Sequence, residues 1–289
     1  MSTNIPSSER QRAQVRARLH AAGVLRPGPG SVTWTINREV IVLAGWGRAI
    51  LLQLAHPAIA AGLGEHSSFR AGFRSRVRRM RSTVGAMLSI TFGDTEDMIA
   101  AAARINTIHD HVRGDDYSAH DPELQRWVHA TLLDSVPSVY EWLVGPLSSD
   151  EQDQYCVEST IMEPLLGIPT GSLPRDRAQL DAYMRNVFAS GTLRVTDTGR
   201  NLARAVLYPP GWYLAWPLLR PLQLLTIGSL PAAIRAGYGF DWRARDARAL
   251  ARWTRVLRIL IRVLPRAVRE WPAARRRVVP VQPMMARAH

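Results

Sequence analysis

The chain has no lysine; all 37 of its basic side chains are arginine. That excludes Schiff-base chemistry on a lysine and a Walker-type phosphate loop, both of which need an ε-amino group. Cys156 is the only cysteine, so the chain cannot build an internal disulfide or a thiolate-rich zinc or iron–sulfur site. No CxxCH surrounds it, which excludes covalent c-type haem attachment. The HExxH zinc helix, the GxSxG elbow and the GxGxxG loop are also absent. No run of about 18 residues is free of charges and breakers, as a membrane-spanning helix requires. The closest, EVIVLAGWGRAILLQLAHPAIAAGLG, carries Arg48, Gln53, His56 and Pro57 and reads as a core helix broken at Pro57. The first twenty residues are polar and basic, with no apolar leader segment. A cytoplasmic protein is the expectation.

What is present is helical periodicity. Apolar residues make up 46% of 289, enough for a sizeable core and too many for a disordered chain. A first helix is predicted from about Ser8 to Ala22, stopped by Gly23, followed by a loop at Arg26–Ser31. A long apolar segment (37–64), an arginine-rich helix (70–91) and a helix over 95–112 follow. The stretch HDPELQRWVHATLLDSVPSVYEWL places Leu124, Trp127, Thr131, Ser135 and Val139 on one face. Ser148 and Glu151 stand at capping-box spacing, and Gly167 and Pro169 stop that helix. Sustained period-two alternation is lacking, so strands are few. DARALARWTRVLRILIRVLPRAVREW is amphipathic, with Leu250, Trp253, Leu257, Leu260 and Leu264 on one face and Arg248, Arg252, Arg255, Arg262 and Arg266 on the rest. The expected class is all-α, a single globular helical domain. Residues 1–30 form an N-terminal helix and loop, 31–270 the domain, and 271–289 a loose tail.

The segment INTIHDHVRG holds His109 and His111, two residues apart. On an α-helix two such residues point about 200° apart, so they cannot chelate one metal together. Met98, Ala102, Ile105, His109 and Val112 recur at three and four, an apolar stripe, while Asp97, Arg104 and His111 recur at seven, a polar one. His109 should therefore face the core and His111 solvent. A buried imidazole needs a partner. Spacing leaves two partners open: a carbonyl or carboxylate of the core, or the iron of a haem, which needs one protein nitrogen and an apolar slot between helices.

Six segments occur in a telling order: LLQLAHPAIAAGLGEHSSF, RRMRST…ITFGD, INTIHDHVRG, RWVHATLLDS, LLGIPTGSLP and TIGSLPAAIRAGYGFDW. Together, over about Trp34 to Trp242, they resemble the MpaB-type haem oxygenase family and, more distantly, the latex clearing proteins. The resemblance implies a globin-like, all-α core with haem b held noncovalently between helices by one histidine in an H-x-x-V-R segment. Here that segment is His109, Val112 and Arg113, and the stripe argument selects the same histidine. It further implies an Arg-x-x-x-Thr pair lining the haem pocket, matched by Arg79 and Thr83. An arginine there can pair with a propionate or stabilise a developing oxygen anion, and a hydroxyl can donate to dioxygen. A solvated basic face is the competing reading for that arginine-rich stretch. In the latex clearing branch a pocket glutamate acts as base, and Glu65 is the nearest acidic residue before the arginine helix. A carboxylate beside an apolar pocket would suit proton transfer; a capping or pairing role competes. His56, before Pro57, is a further candidate for cofactor contact. That branch also has a pocket lysine, which this chain lacks, so its rubber-cleaving mechanism does not carry over directly. His129 reads as a satisfied core histidine. A non-haem iron site assembled from His56, Glu65, His66 and His109 is a minor alternative.

The net charge of +13 raises nucleic acid as a partner. The arginines are spread over the whole chain, however, and no helix-turn-helix, zinc-finger or RNA-binding signature appears, so no specific nucleic acid is expected. The Arg248–Arg269 helix suits a solvated globular face first, and peripheral contact with an anionic membrane, at its inner face, second. The reading is thus a haem b-dependent oxygenase that takes dioxygen and a small lipophilic substrate, with iron on His109, Arg79, Arg113 and His56 about the cofactor, and Arg79, Thr83 and Glu65 as catalytic candidates. The alternative is a non-catalytic helical module that binds anionic membrane or nucleic acid through its basic C-terminal helix.

Overall fold

Prolines, glycines and capping side chains cut the chain into helices, with no strand among the described residues. The computed structural model describes residues 7–66, 73–208 and 216–275. Its helices are α1 (Ser7–Ala22), α2 (Val32–Asn37), α3 (Leu43–Leu54), α4 (Pro57–His66), α5 (Phe73–Phe92), α6 (Thr95–His109), α7 (Pro122–Leu143), α8 (Ser149–Ser159), α9 (Met162–Leu166), α10 (Arg177–Ala189), α11 (Asp197–Leu207), α12 (Trp216–Gly228), α13 (Ala232–Gly237), α14 (Ala244–Val263) and α15 (Arg266–Arg269). Among the described residues the only β-type pairings are two isolated bridges, Glu39 with Glu270 and Arg113 with Ser118.

The local signals act as their chemistry dictates. Gly23 ends α1 at φ 59° and Gly167 ends α9 at φ 73°, the left-handed turn that glycine makes without a Cβ clash. Asp94, Asp121 and Ser148 cap α6, α7 and α8, and Ser148 with Glu151 completes the expected capping box. Pro57 starts a new helix, and α3 and α4 diverge by 101° across that break. This bent pair is apolar enough and together long enough to pass as a membrane span, but no single described helix is, and most of α3 is buried in the protein.

Helix α7 is the axis of the molecule. It is buried nearly all round, from Gln125 to Val139, as a helix surrounded by others must be. Helix α3 crosses it at Gly45, where a Cβ would stand 2.8 Å from the Ser135 carbonyl oxygen. Arg48 of α3 reaches Asp134 and Ser135 of α7 at 2.5 and 2.7 Å, and Arg177 of α10 takes the other Asp134 oxygen at 3.2 Å. A buried carboxylate thereby has two guanidinium partners. A second core unites α1, α5, α6 and α9 through Val15, Ala86, Ile90, Met98, Ala102 and Leu165. Helix α1 is therefore packed into the bundle. The tail predicted over 271–289 falls, from residue 276 on, outside the described residues.

Three expectations shift. The segment read as one helix from Ser148 to Gly167 is two, α8 and α9, separated at Thr160 and Ile161. The helix predicted over 95–112 stops at His109, because Asp110 to Gly114 turn away under short-range hydrogen bonds. In α14 the predicted apolar face buries Leu250 and half-buries Trp253 and Leu257, but Leu260 and Leu264 are exposed. Thr254 and Ile261, a little further round the helix, hold it to the core instead.

Candidate functional site

A cavity of about 400 Å³ lies where α3, α4, α5, α6, α7 and α8 meet, lined mainly by apolar side chains that include Ile59, Leu63, Met87, Ile90, Ile105 and Leu133. This is the size and character of a small-molecule pocket. Several of the polar side chains on its wall are held by partners in the protein. Gln53 is tied to Thr131 (2.9 Å) and Gln125 to the Ala119 carbonyl (3.0 Å). The Glu158 carboxylate accepts from the backbone N–H groups of Val32 and Thr33 at 3.3 and 2.7 Å, where α2 begins. Glu158 and Met162 both line the cavity.

His109 sits on the cavity wall at the last position of α6. Its Nδ1 is buried and makes no hydrogen bond among the described residues. Burial lowers its pKa to about 4, helped by the neighbouring His120 and opposed by Asp110. It is therefore a neutral imidazole at physiological pH. Its surroundings are braced: Asp110 accepts from Gln11 of α1 and from His120, both at 2.8 Å, and the His120 ring meets the His109 ring edge-on at 5.8 Å. His111 points away, exposed, its Nδ1 donating to the Thr107 carbonyl at 2.7 Å. The predicted division between the two histidines thus holds.

The segment after His109 closes one side of the cavity. Ala119 N–H donates to the Val112 carbonyl and Gly114 N–H to the Tyr117 carbonyl, both at 2.9 Å. A Cβ on Gly114 would stand 2.5 Å from the Tyr117 ring, so glycine is what lets that ring pack there. Val112, Tyr117, Ser118 and Ala119 all face the cavity. Arg113 is exposed and takes part in the bridge to Ser118.

The other predicted residues are placed less centrally. Glu65 is exposed rather than set against the apolar wall, and it accepts a 2.6 Å hydrogen bond from Tyr117. That bond holds the phenol's proton and raises its pKa to about 12. Thr83 is exposed; it lies one turn before Met87 on the α5 stripe that continues to Ile90 on the cavity wall. Arg79 shares that stripe, but its side chain lies outside the described residues, as does that of His66. His56 is half-buried at the α3–α4 corner with an unpartnered Nδ1 and a pKa lowered by burial, and it does not line the cavity, although Ala58 and Ile59 beside it do. Among the described residues no three His, Cys, Asp or Glu side chains are grouped to hold a metal ion; the side chain of His66, one member of the non-haem alternative, is not among them.

One lining residue was read differently from sequence. His129 is buried, as expected of a core histidine, but it faces the cavity, and no hydrogen bond reaches its ring among the described residues. Burial lowers its pKa to about 4, with His109 the next influence. Periodicity on α7 places it inside; only the packing shows that inside means a void.

A porphyrin needs an apolar slot, a neutral imidazole with a free nitrogen, and no buried carboxylate without its own partners. The cavity supplies apolar walls and two neutral histidines, and Glu158 is already satisfied by backbone donors. The residues present fit the group.

Residues 33–259 match the family described as ER-bound oxygenase mpaB/B'/Rubber oxygenase, catalytic domain. The chain belongs to that family, and the matched span holds the whole cavity except its edge at Pro27. Two similar proteins are the uncharacterized protein Rv2237 of Mycobacterium tuberculosis (strain H37Rv) and the uncharacterized protein Mb2261 of Mycobacterium bovis. Each is 28% identical over 227 residues, covering 75% of this chain and 87% of the relative. No solved structure matches the chain.

Proposed function

We propose that this oxygenase-family protein is a haem b-dependent oxygenase acting on a small, lipophilic organic substrate. The observation that carries the proposal is His109: a neutral, cavity-lining imidazole with a buried nitrogen that nothing in the described protein satisfies. A buried polar atom without a partner is rare enough to ask for an explanation, and a ligand supplies one. His109 would hold the iron, and Arg113 and Arg79, both cationic and close in sequence to the cavity wall, would pair with propionates. Bound haem would supply the redox chemistry that activates dioxygen.

The protein's own residues then have separable tasks. The aliphatic wall of α4, α5 and α6 takes up the substrate and excludes water, which favours an apolar molecule over a polar one. Asp110 and His120, beside His109, fix the end of α6 and so the position of its ring. Thr83, on the α5 stripe leading to the cavity, would donate a hydrogen bond at its mouth. The exposed Glu65 with Tyr117 forms a proton-bearing pair at the cavity rim, in place of the buried base expected from sequence.

The test is His109→Ala. The variant should keep its helical circular dichroism and lose haem binding by about a hundredfold or more, because axial ligation is the main specific contact of a noncovalent haem. Retention of stoichiometric haem by a folded His109→Ala protein would overturn the assignment.

A further inference from the structure

Exposed large apolar side chains are concentrated on α14 and its C-terminal continuation among the described residues. Val256, Ile259, Leu260, Val263 and Leu264 are 42, 56, 42, 69 and 37% exposed, and Val268 of α15 is 62% exposed. They make up six of the eleven large apolar side chains exposed among the described residues. At about 100° per residue the four on α14, with Leu264 at its C-cap, form a ridge beside the face that Leu250, Thr254 and Ile261 press onto the core. On the ridge's other flank runs a band of exposed arginines: Arg248, Arg255 and Arg262 at intervals of seven, with Arg252 beside them. None of these four makes an ion pair among the described residues. From Ala247 to Arg269 there is no acidic residue, and the two carboxylates that bracket the stretch, Asp246 and Glu270, are buried and paired with Arg220 and Arg38.

We propose that α14 and α15 dock the protein on an anionic lipid surface, with the Val256–Val268 ridge in the acyl boundary and the arginine band on lipid phosphates. Independent of the haem reading, three physical arguments select this occupant. An aliphatic ridge on a folded, core-anchored helix gains by burial in hydrocarbon, and arginines on its flank stand where headgroups would be. Duplex nucleic acid would neutralise the band but leave the ridge in water. A second copy docked about a twofold axis would set arginine bands against each other.

The experiment is co-sedimentation of the full-length protein with phosphatidylcholine vesicles, with and without about one-third phosphatidylglycerol. Binding to the anionic vesicles only is expected. Ile259→Glu with Val263→Glu should weaken it about tenfold or more, and so should Arg255→Gln with Arg262→Gln. All four side chains are exposed, so both variants should keep the wild-type thermal midpoint, which serves as the folding control. Equal binding to pure phosphatidylcholine, unchanged binding of either variant, or binding to duplex DNA with none to vesicles would overturn the proposal. A dimer in analytical ultracentrifugation that Ile259→Glu with Val263→Glu turns into a monomer, without vesicle binding, would overturn it in favour of self-association.

Discussion

Two histidines on one cavity wall set the behaviour of the site. An imidazole in an unfolded chain titrates near 6.5, whereas His109 and His129 are each held to about 4 by burial. Between those values the unfolded chain binds protons that the folded protein refuses. The contribution of these two rings to stability therefore falls as pH drops from about 6.5 to about 4, changes no further below that, and recovers as pH is raised through the same window. Each ring can contribute a slope of up to about 1.4 kcal/mol per pH unit. Urea midpoints of the haem-free protein should show this dependence, and His109→Gln with His129→Gln should flatten it; an undiminished slope would mean that neither ring is neutral in the fold. The division between His109 and His111 was legible in sequence because three- and four-residue recurrence reports direction from a helix axis. The role of His129 was not, since recurrence says that a side chain is inside but cannot distinguish packed atoms from empty space. Nor was the exposure of Glu65 and Thr83, which depends on tertiary packing that recurrence along one helix does not report.

At the scale of elements, the crossing of α3 and α7 positions one wall of the cavity, Gln53 coming from one helix and Leu124 to Leu133 from the other. Gly45 permits that crossing, because its missing Cβ would meet backbone atoms of Ser135 and Val136 at 2.8 and 3.0 Å. Backbone cannot swing aside as a side chain can. Gly45→Ala should lower stability by about 2 kcal/mol through displacement of α3. Gly85→Ala, in α5 where a Cβ meets nothing within 4 Å, should raise it by up to about 1 kcal/mol through helix propensity alone. Thermal unfolding of the two variants checks the pair of signs, and equal effects would refute the close-crossing account. Helix starts and stops were the most legible features, at Gly23, Pro57, Ser148 and Gly167, because each depends on local backbone chemistry. The end of α6 was less so: Val112 continues the apolar stripe in spacing and faces the cavity, but from a turn held by Ala119 and Tyr117. Contacts made from beyond the helix terminated it.

At the scale of the molecule, one all-α body carries an apolar cavity with His109 on its wall and an exposed basic, aliphatic helix. The all-α class followed from periodicity, and family membership from six ordered motifs. The exposure of Leu260, Val263 and Leu264 could not be read in advance, because an amphipathic pattern does not say how far along its length a helix stays on the core. The central claim concerns the cavity. The most direct test is the visible absorption spectrum of the protein purified from cells supplied with a haem precursor. The account predicts a Soret band at about one haem per chain that shifts on reduction and again on adding carbon monoxide. A folded protein that stays colourless, and that remains so after titration with haem, would contradict it.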